Sequence, residues 1–120
     1  MLRTYSTIRD AVDKMDIYQF PALVVVDENE VPQAVITEGD IVRASQTQGG
    51  VLKIGKEPVM SFASLSPTTA SIDAEVSDAL LTMVSSGLTI LPVVENGRLM
   101  GVVLRVDLMQ AMLMDDHFDA

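Results

Sequence analysis

Two stretches of the chain share one hydrophobic rhythm. Ile8, Ala11, Val12 and Met15 fall at i, i+3, i+4 and i+7, the spacing of one helical face. Val76, Ala79, Leu80 and Met83 repeat it 68 residues later. Each predicted helix precedes a β-branched run, ALVVVD from Ala22 and ILPVVE from Ile90. A second run follows, VPQAVIT from Val31 and RLMGVVL from Arg98. Apolar runs of this length, split by turn residues, read as paired strands. Asn96-Gly97 supplies the positive φ angles of a type I′ hairpin. Pro32 has no N–H, so it belongs at a strand start or edge. Each copy closes with a helix, Glu38 to about Gln46 and Arg105 to about Met114. The closing phrases match: ITEGDIVRA from Ile36 and VLRVDLMQA from Val103. Their offset is 67, because DENE in the first copy has one residue more than ENG in the second.

The repeat sets the expected architecture. Ser6 is the expected cap of the first helix, and Asp73 or Ser71 that of its counterpart. QTQGG from Gln46 reads as a polar linker. A short strand near Phe62 to Leu65 is expected to lead into the second copy, whereas the chain begins too late for the first copy to have one. A three-stranded sheet with one apolar face is not stable alone. Two such units are therefore expected to pack about a pseudo-twofold axis, as an α+β fold. A doubly wound parallel sheet is the rival, and the hairpin argues against it, since parallel neighbours need a crossover.

Composition narrows the function. A chain of 120 residues suits one compact domain. Hydrophobic residues make up 48% and aromatics only 4%, so an aliphatic core is expected rather than disorder. Cysteine is absent, which excludes disulfides, thiolate metal sites and a cysteine nucleophile and is compatible with the cytoplasm. No apolar run approaches the roughly 20 residues of a membrane span, and the first residues lack a signal-peptide core. A net charge of −9 repels nucleic acid and anionic membranes. No Ser–His spacing, glycine-rich phosphate loop or HExxH is present, so no enzyme is expected.

Polar positions remain. Thr37 and Asp40 have the spacing of a capping box at the start of the last helix of the first copy. The second copy writes Leu104 and Asp107 there. Leu104 has no hydroxyl to cap with, yet the acid remains; the helix dipole favours an acid by under ~1 kcal/mol. Arg43 and Arg105 lie close by, as phosphate partners or solvated charges. DDHFDA at 115–120 reads as an acidic tail or a divalent-cation site. Met109, Met112 and Leu113 make the last helix apolar on more than one face, for packing or for a dimer contact.

The stretch DALLTMVSSGLTILPVVENGRLMGVVLRVDLMQAM, from Asp78, closely resembles a CBS domain. The first copy resembles it more loosely, with Val24 where Pro is usual and Ala34 where Gly is usual. Together they resemble a tandem CBS pair, or Bateman module, with repeats of β-α-β-β-α order at 4–47 and 61–114, a linker at 48–60 and a tail at 115–120. The resemblance implies a regulatory module that binds an adenosine-containing ligand (AMP, ADP, ATP or S-adenosylmethionine) in the cleft between repeats. It also implies a homodimer that reports to a host enzyme or transporter, with no required cofactor and no metal. Asp40 and Asp107 would hold ribose hydroxyls, Asp40 together with Thr37. Val35, with Ala74, Ala79 and Leu88 of the other repeat, would line the first cleft. Val102 and Leu104, opposite Ser6, Ala11 and Phe20, would line the second. Ala22 and Ile90 stand where phosphate-binding relatives often place Arg, Lys or His, and Ile90 is counted among the lining positions. A ligand of low negative charge suits this set better than ATP. The alternatives are a ligand-free dimerisation or docking module and a divalent-cation sensor.

Overall fold

Both hairpins form in the computed structural model, which describes residues 1–114. The chain divides into two compact units, Met1–Pro67 and Thr68 onward. The first unit runs β1 (Leu2–Arg3), α1 (Ile8–Tyr18), β2 (Ala22–Val26), β3 (Pro32–Thr37), α2 (Glu38–Gln48), α3 (Val51–Ile54), a 3₁₀ turn at Val59–Ser61 and β4 (Ser64–Leu65). Its sheet has the order β1-β2-β3-β4, with β1 parallel to β2 and the other pairs antiparallel. The second unit runs β5 (Ala70–Ser71), α4 (Val76–Ser86), β6 (Leu91–Glu95), β7 (Arg98–Val103) and α5 (Arg105–Met114). Its sheet has the order β5-β6-β7, again with a parallel first pair and an antiparallel hairpin. Each unit thus contains the β-α-β-β-α repeat, and the fold is α+β.

Two strand expectations are corrected. The first copy does have a leading strand, β1, which lies 68 residues before β5. Two residues are too few to show an alternation. The strand near Phe62 to Leu65 also forms, but not as the opening of the second repeat. Ser64 and Leu65 pair with Val35 and Ala34 of β3, so this strand completes the first unit's sheet. β5 opens the second repeat instead.

The core of the first unit explains its elements. Ile8, Ala11 and Met15 of α1 and Ile41 and Ala44 of α2 cluster with Leu23, Val25, Ala34 and Ile36 from one face of the sheet. Ile54 and Val59 are buried in the same cluster. Residues 48–60, a linker by sequence pattern, therefore carry part of this unit's core. The second unit's cluster comprises Ala79, Met83, Leu91 and Leu108. Val93, Gly101, Val103 and Ala111, which match the buried Val25, Ala34, Ile36 and Ala44, are not buried there.

Turn chemistry separates the hairpins. Asn96 (φ 53) and Gly97 (φ 78) join the Glu95–Arg98 pair, and both positive φ values agree with a type I′ turn. In the first unit the extra residue makes a longer loop. Asp27 Oδ1 accepts the N–H groups of Asn29 and Val31 at 2.8 and 3.0 Å. Arg3 of β1 reaches across, donating to the Asp27 carbonyl at 3.0 Å and to Glu30 Oε1 at 2.8 Å. Pro32 begins β3, as its missing N–H requires.

The helix caps are also corrected. Thr7, not Ser6, caps α1. The Ser6 hydroxyl accepts the Arg3 N–H at 2.9 Å, within the turn after β1. α4 begins after Glu75 with no side-chain cap bond. Ser71 Oγ instead accepts the Asp73 N–H at 3.2 Å, which ties both expected caps into the preceding turn.

Candidate functional site

Strand register decides which candidate residues share a surface. Val35 and Thr37 lie opposite Val24 and Ala22, on the face of the first sheet turned away from its helical core. Val102 lies opposite Pro92, and the neighbouring Leu91–Val103 pair faces the second unit's own core. The two strands therefore present corresponding residues on corresponding faces.

Thr37 ends β3 and caps α2, with φ −110 and ψ 163. Its Oγ1 accepts the Asp40 N–H at 3.0 Å, and its own N–H donates to Asp40 Oδ2 at 2.9 Å. Both halves of the capping box are formed. The other carboxylate oxygen, Oδ1, accepts a hydrogen bond from Arg43 Nη2 at 2.7 Å. The Asp40 side chain is 13% exposed, whereas that of Arg43 is 70% exposed. A carboxylate has about four acceptor directions, so Asp40 retains capacity for a further donor.

Asp107 is built differently. Its Oδ2 accepts the Leu104 N–H at 2.9 Å, so the carboxylate half of the box survives without a hydroxyl. Its own N–H turns to the Leu104 carbonyl at 3.0 Å. Among the described residues no donor meets its Oδ1, and the residue is exposed.

A third box marks how much of this geometry is purely structural. Thr7 and Asp10 exchange the same two bonds, at 2.9 and 3.2 Å, at the start of α1. The Thr-x-x-Asp spacing signals this box, with Ser6 as a competing hydroxyl one residue earlier. The Arg43–Asp40 ion pair has a sequence signal too, since an i, i+3 acid–base pair shares a helix face.

The implied lining residues are divided between the units. Ser6 and Phe20 lie in the first, with Ser6 buried and Phe20 exposed just beyond α1. Ala74, Leu88 and Ile90 lie in the second. Ala74 is exposed in the turn before α4, Leu88 packs on that unit's core, and Ile90 is buried. Ala11 and Ala79 are buried in the core of their own unit. Within a unit the structure brings together Val35, Thr37 and Asp40, and Val102 with Leu104 and Asp107. A hollow of about 730 Å³ beside α1 and α3, lined by Ile8, Arg9, Val12, Leu52 and Lys56 among others, contains none of them.

Among the described residues no three His, Cys, Asp or Glu side chains are grouped to hold a metal ion. The segment 115–120, read from sequence as an acidic tail with a divalent-cation site as the alternative, lies outside the described residues. No helix among them is long and apolar enough to cross a membrane.

Comparison with known proteins places these units. The CBS domain family model matches residues 1–47 and 59–114, leaving out the segment that carries α3. A curated relative from Acidianus ambivalens, an uncharacterized 17.7 kDa protein, is 33% identical over 89% of this chain. The chain spans only 63% of that relative's length. The crystal structure of CBSX2 in complex with AMP superposes with a TM-score of 0.80 at 22% identity, covering 94% of this chain and 86% of that one. Protein MJ1225 from Methanocaldococcus jannaschii superposes at 0.83 with 23% identity, covering 94% of this chain and 45% of the other. At such identities the likeness speaks for the fold. With both repeats matched and both β-α-β-β-α units formed, the chain belongs to the CBS-domain family.

Proposed function

We propose that the chain is a non-catalytic regulatory module that binds an adenosine-containing ligand through Asp40 with Thr37 and through Asp107, and signals its ligand state to a host or partner protein. Asp107 carries the reading. It keeps one carboxylate oxygen on the Leu104 N–H and leaves the other without a donor among the described residues. A carboxylate held in this way accepts well from a vicinal diol, through charge-assisted hydrogen bonds. The AMP complex of the similarly folded CBSX2 supports the ligand class. The chain's net charge of −9 favours AMP, adenosine or S-adenosylmethionine over ATP.

A thermal-shift titration with adenosine, AMP, ADP, ATP and S-adenosylmethionine tests this. At ten times Kd a native-state ligand stabilises by about 1.4 kcal/mol, roughly 5 °C in Tm. Asp40→Asn and Asp107→Asn should each shrink the shift. Asp10→Asn disturbs the equivalent box in α1 and should leave it intact. Flat curves with every ligand would remove the proposal.

A second reading rests on the helices. Val12 and Val42 in the first unit, and Leu81, Val84, Met109 and Leu113 in the second, are exposed apolar side chains. Such surfaces suit a homodimer or a docking module that needs no ligand. Flat ligand curves together with a dimeric mass by sedimentation would favour it.

A further inference from the structure

Arg43 holds the carboxylate oxygen that a ribose diol would share. Asp40 Oδ2 is already fixed by the Thr37 N–H, and Oδ1 takes the Arg43 guanidinium at 2.7 Å. The guanidinium folds back over the first turn of α2, where Gly39 leaves it room. A Cβ at Gly39 would come within 3.1 Å of Arg43 Nη1. The second repeat supplies an internal contrast. The position matching Arg43 is Gln110, and Asp107 has no ion pair among the described residues. The two acids therefore stand at matching positions, one met by a cation and the other open.

We propose that Arg43 is an intramolecular competitor at Asp40, one that lowers the affinity of this acid for an uncharged diol and makes it sensitive to ionic strength. This inference rests on the ligand reading above. A charged donor at Oδ1 uses the acceptor strength that a neutral ribose would otherwise claim. Because the arginine is largely exposed, the competition is weak and screened by salt. Among the described residues Asp107 has no such competitor, so its affinity for the same ligand is not expected to vary in this way. Arg43 acts through Asp40 and is a positioning residue.

The test uses the full chain carrying Asp107→Asn, so that only Asp40 is read, with adenosine as the probe in isothermal titration at pH 7.5. Arg43→Gln copies the second repeat and should tighten adenosine about two- to fivefold, the span expected for loss of an exposed ion pair. Arg43→Lys should restore most of the wild-type affinity. Raising the salt from 20 to 500 mM should tighten binding in the arginine protein and change it little in Arg43→Gln. Equal affinities for the two proteins, or weaker binding in Arg43→Gln, would overturn the competitor role while leaving the ligand reading in place. No adenosine bound by either protein would overturn the ligand reading at Asp40, and the competitor role with it.

Discussion

Ile54→Ala is expected to destabilise the protein by about 2–5 kcal/mol in urea denaturation followed by circular dichroism. Ile54 is 2% exposed, and it packs with Ile8, Ala11, Val25 and Ile36 in the first unit's core. Truncating it removes transfer free energy and leaves a cavity that the surrounding helices and sheet fill only in part. Its neighbour Leu52 is 95% exposed on the same short helix. Leu52→Ala should therefore stay within about 0.5 kcal/mol of the parent. Equal midpoints for the two variants would show that residues 48–60 act as a tether and contribute nothing to packing.

Met83→Ala is expected to cost about 2–5 kcal/mol as well, with the damage centred on the second unit. Met83 is fully buried and touches a cluster of few members, Ala79, Leu91 and Leu108. The second unit buries fewer of its matching sheet positions than the first, so one large side chain carries more of the load. Met83→Leu nearly conserves volume and should cost less than about 1.5 kcal/mol. Amide hydrogen exchange locates the effect. Protection along β6 should fall in Met83→Ala and stay close to normal in Met83→Leu. Unchanged exchange across β6 in Met83→Ala would show that this cluster does not hold the strand.

Much of the fold was legible in the chain because the repeat is written in periodic, local signals. The i, i+3, i+4, i+7 faces located α1 and α4. The β-branched runs located β2, β3, β6 and β7, and Asn96-Gly97 located the tight hairpin. What escaped was set by partners distant in sequence. β1 and β5 have two residues each and exist only because a longer strand pairs with them. Ser64 and Leu65 looked like the threshold of the second repeat, and only β3 reveals where they belong. Ile54 ends the short run VLKI and Val59 opens VMS, and runs this short set no period that tells which of their residues is buried. Ser6 and Thr7 are adjacent hydroxyls, and the turn after β1 decides which one caps.

The candidate site was legible in part. The acids at 40 and 107 were found from the repeat, and the structure sets each at the third position of its helix. The capping bond at Asp107 has no sequence signal, because Leu104 lacks the hydroxyl that marks a capping box while its N–H still donates to the carboxylate. By sequence Arg43 is a phosphate partner or a solvated charge, and the structure pairs it with Asp40 instead. Its actual partner lay one helical turn away.

The placement of β4 bears on how this molecule can be divided. A fragment stopped after Gln48 would keep every element of the first repeat, yet it would forfeit Ile54 and Val59 and bare the outer rim of β3. An uncovered strand of this kind recruits its own copies and aggregates. The sound place to cut is after Pro67, where the sheet is complete and its buried residues travel with it.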